Sequence, residues 1–282
     1  MDGSGHQLEL TFYGVRGSCP CPSKENARYG GNTACVVVTA DGEEPLVFDL
    51  GTGLRAFGDT QPLDGSFSAT ALVTHIHWDH VQGLPFFPPA DRTGARLRIY
   101  GPQPESGTLR QQIDDFMRPP YFPVRIGDLR GDYSFHEVLK DQFRVGEADV
   151  MVRPVPHTGV TVGYRVTWHG RVVTYISDHQ APLDLETVAE PVLELAESAD
   201  LLIHDAQYTS AEFAEKSHWG HCTVDYALRV AAQAGVRRVA LFHHDPAHDD
   251  EELDRIVTDA RAAMGGGGPE VIAASEGLRL FL

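Results

Sequence analysis

The sequence predicts an α/β chain in which two mixed β-sheets pack face to face with helices outside, an αββα sandwich. Three observations carry that expectation. Strand-like runs come in two series, helical segments follow within each series, and no stretch of linker composition divides the chain. Residues 1–282 are accordingly read as one domain.

In the first series, "LELTFY" (8–13), "ACVVVTA" (34–40), "PLVFDLG" (45–51), "ATALVTH" (69–75) and "LRIYGP" (97–102) are apolar or β-branched runs bounded by Gly, Pro and Asp. Between the first two lies "GVRGSCPCPSKENARYGGNT", which reads as a long surface loop, too polar for the core and of a length that compact domains keep for function. Residues 107–126 suggest a helix stopped by Pro119 and Pro120, then an aromatic, proline-containing excursion. The second series opens with "DVMVRPVPH" (149–157) and continues through "VGYRVTW" and "RVVTYISD", with His169-Gly170 between them as a hairpin turn. "ADLLIHDA" and "RRVALFHHD" read as buried strands. Helices fit "DLETVAEPVLELAES", "TVDYALRVAAQAG" with Gly235 closing it, and "DDEELDRIVTDARAAM". The "GGGG" at 265–268 then releases the chain toward a last strand, "LRLFL".

Composition narrows the function classes. A hydrophobic fraction of 42% is ordinary for a folded chain, and 23 Lys+Arg against 40 Asp+Glu give a formal charge of −17. That balance repels polyanions unless basic residues gather locally. "MDGSGHQLEL" has neither the basic nor the apolar region of a leader, and no apolar run approaches 18 residues, so a cytoplasmic protein without membrane contact is expected. Cys19, Cys21, Cys35 and Cys222 are too few and too irregular for a disulfide framework, and the Cys19-Pro20-Cys21 pair is a poor match to zinc-knuckle spacing.

The chemistry concentrates at positions 75–80, "HIHWDH", directly after an apolar run. On one continuous helix, His75, His77, Asp79 and His80 would scatter over about 200° and could not converge. A strand end followed by a helix start resolves this: His75 and His77 share a side by the two-residue period, while Asp79 and His80 swing out on the first turn. Two divergent ligand pairs suit two neighbouring metal ions. Downstream, "VRPVPH" ends in His157, "VVTYISD" in Asp178, "DLLIHD" in His204-Asp205 and "VALFHHD" in His243-His244. One such residue alone reads as a satisfied core group, but four strand ends carrying potential ligands argue for a shared site.

This order of motifs resembles the metallo-β-lactamase fold hydrolases, whose H-x-H-x-D-H signature matches "HIHWDH", and within them the branch that includes tRNase Z and related phosphodiesterases. The resemblance runs from "LELTFYGVRGS" to "VIAASEGLRLFL". It implies that His75, His77 and His157 hold one metal and Asp79, His80 and His243 the other, with Asp178 bridging. Zinc is the first expectation, with manganese or iron chemically tolerable. His244 competes with His243 for the last position, and the resemblance favours His243. His204-Asp205 resembles the family's His-Glu pair, and "WGHCTVDYAL" its Gly-His-Ser-Thr segment. By the same resemblance Asp79 helps hold the attacking water, His221 protonates the leaving group, and Asp205 or His204 fixes the His221 tautomer.

For the substrate, the acidic balance and the lack of a basic, Gly-rich arm between His80 and Asp178 lead to a small phosphodiester, such as a cyclic nucleotide, and make a long nucleic acid unexpected. Arg16, Lys24 and Arg28 of the long loop are read as covering a compact phosphate ligand. Tyr121 and Phe122 are read as a stacking face for a base or, equally, as packing or homodimer contacts. The alternatives left open are a tRNase Z-like endoribonuclease, a lactonase or thioesterase on the same scaffold, and a non-catalytic metal-binding signalling module.

Overall fold

A computed structural model describes residues 7–282. The N-terminal hexapeptide read above for a leader lies outside the described residues. The first sheet takes β1 (Glu9–Gly14), β2 (Cys35–Thr39), β3 (Leu46–Phe48), β4 (Ser68–Leu72), β5 (Arg96–Pro102) and β6 (Asp132–Val138). The second takes β7 (Gln142–Val145), β8 (Ala148–Pro154), β9 (Val162–Trp168), β10 (Arg171–Ile176), β11 (Leu201–Asp205), β12 (Arg238–Phe242) and β13 (Glu270–Ala273). The last strand, β14 (Arg279–Phe281), returns to the first sheet beside β1. The spatial orders are β14-β1-β2-β3-β4-β5-β6 and β13-β12-β11-β10-β9-β8-β7. Both sheets are mixed: β3 to β6 run parallel in one and β10 to β13 in the other, with antiparallel strands completing each.

The helices are α1 (Leu54–Gly58), α2 (Trp78–Val81), α3 (Leu109–Phe116), α4 (Glu190–Ala196), α5 (Ser210–Lys216), α6 (Val224–Gln233) and α7 (Asp250–Met264). Strand alternation explains the layering. On β1 every second residue is buried, so Leu10 and Phe12 enter the space between the sheets. There they meet Phe48, Tyr164, Trp168, Tyr175, Ile203 and Phe242, with the Phe48 and Tyr175 rings stacked at 4.8 Å. β11 is buried along its whole length because a sheet lies on one face and helices on the other. Val192 and Leu195 of α4, Val230 of α6 and Val257 of α7 pack on the outside of the second sheet. Leu54, Leu109 and Ile113 belong to the corresponding layer outside the first.

Two expectations are adjusted. The helix read over "DLETVAEPVLELAES" is confined to α4, because Pro191 in its first turn has no N–H to give to a preceding turn and Asp184 already accepts the backbone N–H groups of Glu186 and Thr187. The loop read as purely superficial is anchored inside: Arg16 and Thr33 are wholly buried, and the Arg16 guanidinium donates to the carbonyls of Gly30 (2.7 Å), Asp245 (3.1 Å) and His248 (2.6 Å). Backbone carbonyls can hold a buried guanidinium without a direct ion pair. The hairpin turn at His169-Gly170 forms with both residues at positive φ, 49° and 76°. α6 ends before Gly235, whose φ of 66° allows the chain to leave the helix.

Removing the Phe48 ring should cost about 3–5 kcal/mol, because it leaves a cavity between the sheets. Leu183, 80% exposed, should change stability by about 0.5 kcal/mol or less when cut to alanine. Denaturant unfolding of Phe48→Ala and Leu183→Ala checks the contrast, and equal losses would refute the placement of the core.

Candidate active site

The parallel strands of both sheets end on the same edge of the sandwich, where open α/β sheets commonly bind ligands. β4 is followed by the "HIHWDH" stretch, β10 by Asp178, β12 by His243, and β11 ends at Asp205. His77 sits at the N-cap of α2 in an extended conformation, so His75 and His77 precede the helix while Asp79 and His80 fall on its first turn.

Two sets of ligand-grade atoms result. His75 Nε2 lies 2.8 Å from His77 Nδ1, which lies 3.3 Å from His157 Nε2. Asp79 Oδ2 lies 3.1 Å from both His80 Nε2 and His243 Nε2. Asp178 reaches both: its Oδ1 is 3.8 Å from His75 Nε2 and 3.7 Å from His157 Nε2, and its Oδ2 is 3.1 Å from His80 Nε2 and 3.4 Å from His243 Nε2.

The far side of several rings is fixed by a hydrogen bond, which leaves the other nitrogen for the centre. His80 Nδ1 meets Asp49 Oδ2 at 2.8 Å, His157 Nδ1 donates to the Gly220 carbonyl at 2.6 Å, and His243 Nδ1 donates to Gln207 Oε1 at 2.8 Å. His244, by contrast, is spent on the Ala274 carbonyl, 2.9 Å from its Nε2, and burial holds its pKa down to about 3. Of the two adjacent histidines, the structure therefore brings His243 to the centre.

Divalent cations fit this donor set. His80 Nε2 and Asp178 Oδ2 are buried without a hydrogen-bond partner although they stand 3.1 Å apart, so the pair is close but not aligned for a hydrogen bond. Polar atoms buried in this way need a partner, and a cation supplies one for both. Imidazole and carboxylate donors suit zinc and comparable transition metals. Burial would push the Asp178 carboxyl up, yet the His243, His80 and His75 rings hold it well below its ordinary range, and Asp79 is held low in the same way by His80 and His243. Both remain carboxylates, ready to ligate. Burial, followed by the neighbouring His80, drives His75 well down, and burial lowers His157, which favours neutral, metal-binding rings.

His221 lies beside the centre, its Nδ1 3.0 Å from Asp205 Oδ2 and 3.7 Å from Asp178 Oδ1. Burial pulls its pKa down, but the Asp205 carboxylate outweighs that and the net direction is upward. The shorter acid thus still reaches its histidine. Asp205 is itself oriented by the backbone N–H groups of His179 and Gln207, at 3.0 and 2.9 Å. His204 is not brought into the cluster. Its Nε2 faces His179 Nδ1 at 3.1 Å and its Nδ1 the Asp205 carbonyl at 2.7 Å, so of the pair only Asp205 touches His221.

Several participants escaped the sequence reading. Asp49, Gln207 and the Ser18 backbone N–H, which donates to Asp79 Oδ2 at 2.8 Å, carry no spacing signature. "FDLG" after a buried run was the available hint for Asp49. The expected phosphate cover is also revised: Arg16 is buried on carbonyls, and Arg28 is paired to Asp254 at 2.6 Å.

The family model described as "Beta-lactamase superfamily domain" matches residues 46–244. Ribonuclease Z of Haloarcula marismortui is 28% identical over 96% of each chain, and Ribonuclease Z of Pyrococcus furiosus is 24% identical over 87% of this chain and 89% of its own. Among solved structures, the metallo-beta-lactamase fold protein YhfI from Bacillus subtilis superposes with a TM-score of 0.73 at 18% identity, covering 98% of this chain and 100% of that one. Human tRNase Z, short form, gives 0.70 at 22% identity, covering 96% and 98%. These likenesses correct the expectation that a long nucleic acid is unsuitable. Relatives named as ribonucleases align along almost the whole chain, and a net charge of −17 is a global sum that does not describe the field at one cleft.

Asp178→Ala should abolish the binding of added zinc, whereas Gln207→Ala, which frees the His243 ring, should weaken it about 10–100-fold. Competition with a chromophoric chelator measures both, and unchanged affinity in Asp178→Ala would refute the bridging position.

Proposed function

Since the chain belongs to the beta-lactamase superfamily domain family, we propose that this metal-dependent hydrolase is an endoribonuclease that cuts a phosphodiester bond in tRNA precursors. We further propose residues 1–282 as a single hydrolase domain and zinc as the resident metal, held by His75, His77 and His157 on one side, Asp79, His80 and His243 on the other, and Asp178 between. The observation that carries the phosphodiester reading is His221, fixed by Asp205 next to Asp178 in the same cleft as His77, Asp79 and His157.

Cations bound there supply Lewis-acid polarisation of the phosphoryl oxygens and activate water. The chain's own residues do the rest. Asp79 and Asp178 accept hydrogen bonds from the attacking water and aim it at phosphorus. As an imidazolium with Nδ1–H given to Asp205, His221 passes its Nε2 proton to the oxygen that leaves as the P–O bond breaks. Asp205 holds the Nδ1–H form of the neutral ring once that proton has left. The shift from a small cyclic diester to RNA rests on the relatives, whose similarity spans nearly the full length.

The test is a panel of zinc- and manganese-loaded protein on a tRNA precursor, a cyclic nucleotide, a lactone and bis(p-nitrophenyl) phosphate. Endonucleolytic cleavage of the precursor, lost on chelation, is expected; turnover of the cyclic nucleotide alone would return the reading to a small-diester enzyme. His221→Ala should keep its metal and lose about 10²–10⁴-fold in kcat on RNA, with a smaller loss on bis(p-nitrophenyl) phosphate, whose leaving group needs no proton. Equal losses on both would remove the proton-donor role.

A further inference from the structure

Beside the catalytic cleft lies a larger cavity of about 960 Å³, at the upper end of the ~300–1,000 Å³ typical of ligand pockets. Ile76 and Trp78 line both spaces, so the two adjoin at these side chains, while His221 and Trp219 line only the catalytic cleft. The second cavity is walled by aromatic rings: Trp78, Phe86, Phe116, Tyr121 and Phe122. Three of these are unusually open for large apolar side chains, Trp78 at 74%, Tyr121 at 78% and Phe86 at 59%. Phe122 stands edge-on to Phe86 at 5.6 Å, leaving ring faces available. An exposed aromatic group of this kind, contiguous with a reaction centre, signals a binding surface.

Charge decides what enters. Of the charged side chains lining the cavity, Arg55 is paired with Asp59, and Asp115 is paired with Arg118 at 2.9 Å. The lining therefore offers a phosphate no unpaired cation. It does offer flat faces together with the amide side chains of Asn32, Gln82 and Gln112; their NH2 groups each give one hydrogen bond, to Glu276, Thr33 and Ser106, and each amide keeps its oxygen and a second N–H for the edge of a heterocycle. Building on the nuclease reading above, we propose that this cavity receives the unpaired base of the nucleotide that keeps the phosphate after cleavage. With the leaving nucleoside on the His221 side, the retained nucleotide extends past Trp78 and stacks between the aromatic walls. The cut nucleotides are thereby splayed apart, a geometry a paired stem cannot supply.

The experiment compares the parent with Phe86→Ala/Tyr121→Ala on a tRNA precursor and on the same RNA made abasic at the phosphate-retaining nucleotide. Loss of base stacking is expected to raise the parent's KM roughly 5–150-fold on the abasic RNA. The double variant should show that rise already on intact RNA and no further rise on the abasic one, while Tyr121→Phe behaves as the parent. Metal content and melting temperature confirm that the variants fold. Equal abasic penalties in parent and double variant, or none in the parent, overturn the inference. So does a dimer, seen by light scattering, that the double variant dissociates while keeping the abasic penalty, because the rings would then serve a second copy of the chain. A parent that hydrolyses bis(p-nitrophenyl) phosphate but no RNA sinks the nuclease reading alone. In that event, saturable quenching of tryptophan fluorescence by a nucleoside 5′-monophosphate in a Trp219→Phe background, where Trp78 is the exposed indole and Trp168 is buried, and weakened by the same factor when Phe86→Ala/Tyr121→Ala is added, still tests the cavity, and its absence overturns the inference.

Discussion

The carboxylate of Asp49 is the interaction on which the rest of the site depends. It is wholly buried and carries no ion pair to Lys or Arg, yet its two oxygens take hydrogen bonds from the Thr74 backbone N–H (2.7 Å), the Thr74 hydroxyl (3.0 Å), His80 Nδ1 (2.8 Å) and the Tyr175 hydroxyl (2.8 Å). Thr74 and His80 belong to the segment after β4, and Tyr175 comes from β10 in the opposite sheet. One side chain therefore joins the two sheets and sets the ring of a central ligand. A buried carboxyl group is tolerated where such donors surround it, so the seat of Asp49 and the convergence of the strand ends depend on each other. The fold and the reaction centre share one constraint.

This explains what could be read from the sequence and what could not. "HIHWDH" was legible because ligand density after an apolar run is rare, and because the strand period and helical angle differ enough to sort His75 and His77 from Asp79 and His80. The two series of strands were legible through their apolar runs and turn residues. Asp49 and Gln207 were not. Each is a lone polar residue whose role appears only once the ends of β10, β11 and β12 in one sheet meet those of β3 and β4 in the other, so that Gln207 receives His243 Nδ1 and Asp49 receives His80 Nδ1. His204 shows the converse: it carries the right residue type at a strand end, but the pleat turns it toward His179 while its neighbour Asp205 faces His221.

The charge argument failed for a related reason. A sum over 282 residues weighs every surface carboxylate equally, whereas at physiological ionic strength charges beyond about 8 Å are largely screened. A scissile phosphate responds to the few groups lining the cleft, and there the donors are arranged for cations. The same locality applies to arginine. Arg16 and Arg28 look basic in the sequence, but one is consumed inside the loop by carbonyls and the other by Asp254 and Asp250.

Backbone conformation completes the centre. Asp49 and His243 both adopt the left-handed region, at φ 56° and 60°, which costs a non-glycine residue of order 1–3 kcal/mol and persists only where surrounding contacts over-determine it. Each follows directly on a parallel strand, β3 and β12, and the turn there swings the side chain off the sheet toward the shared edge. Room for the rings is made by glycines. A Cβ on Gly17 would come 2.3 Å from His243 Nδ1, and one on Gly220 would come 2.6 Å from His157 Nδ1. The glycines of "GVRGS" and "WGHC" thus serve as contact surfaces for two ligand rings, and His221 follows directly on the glycine whose carbonyl holds His157. The spacing between His221 and His157 is in this way fixed by a single peptide unit, whereas Trp78 and Trp219, which also line the cleft, stand largely exposed.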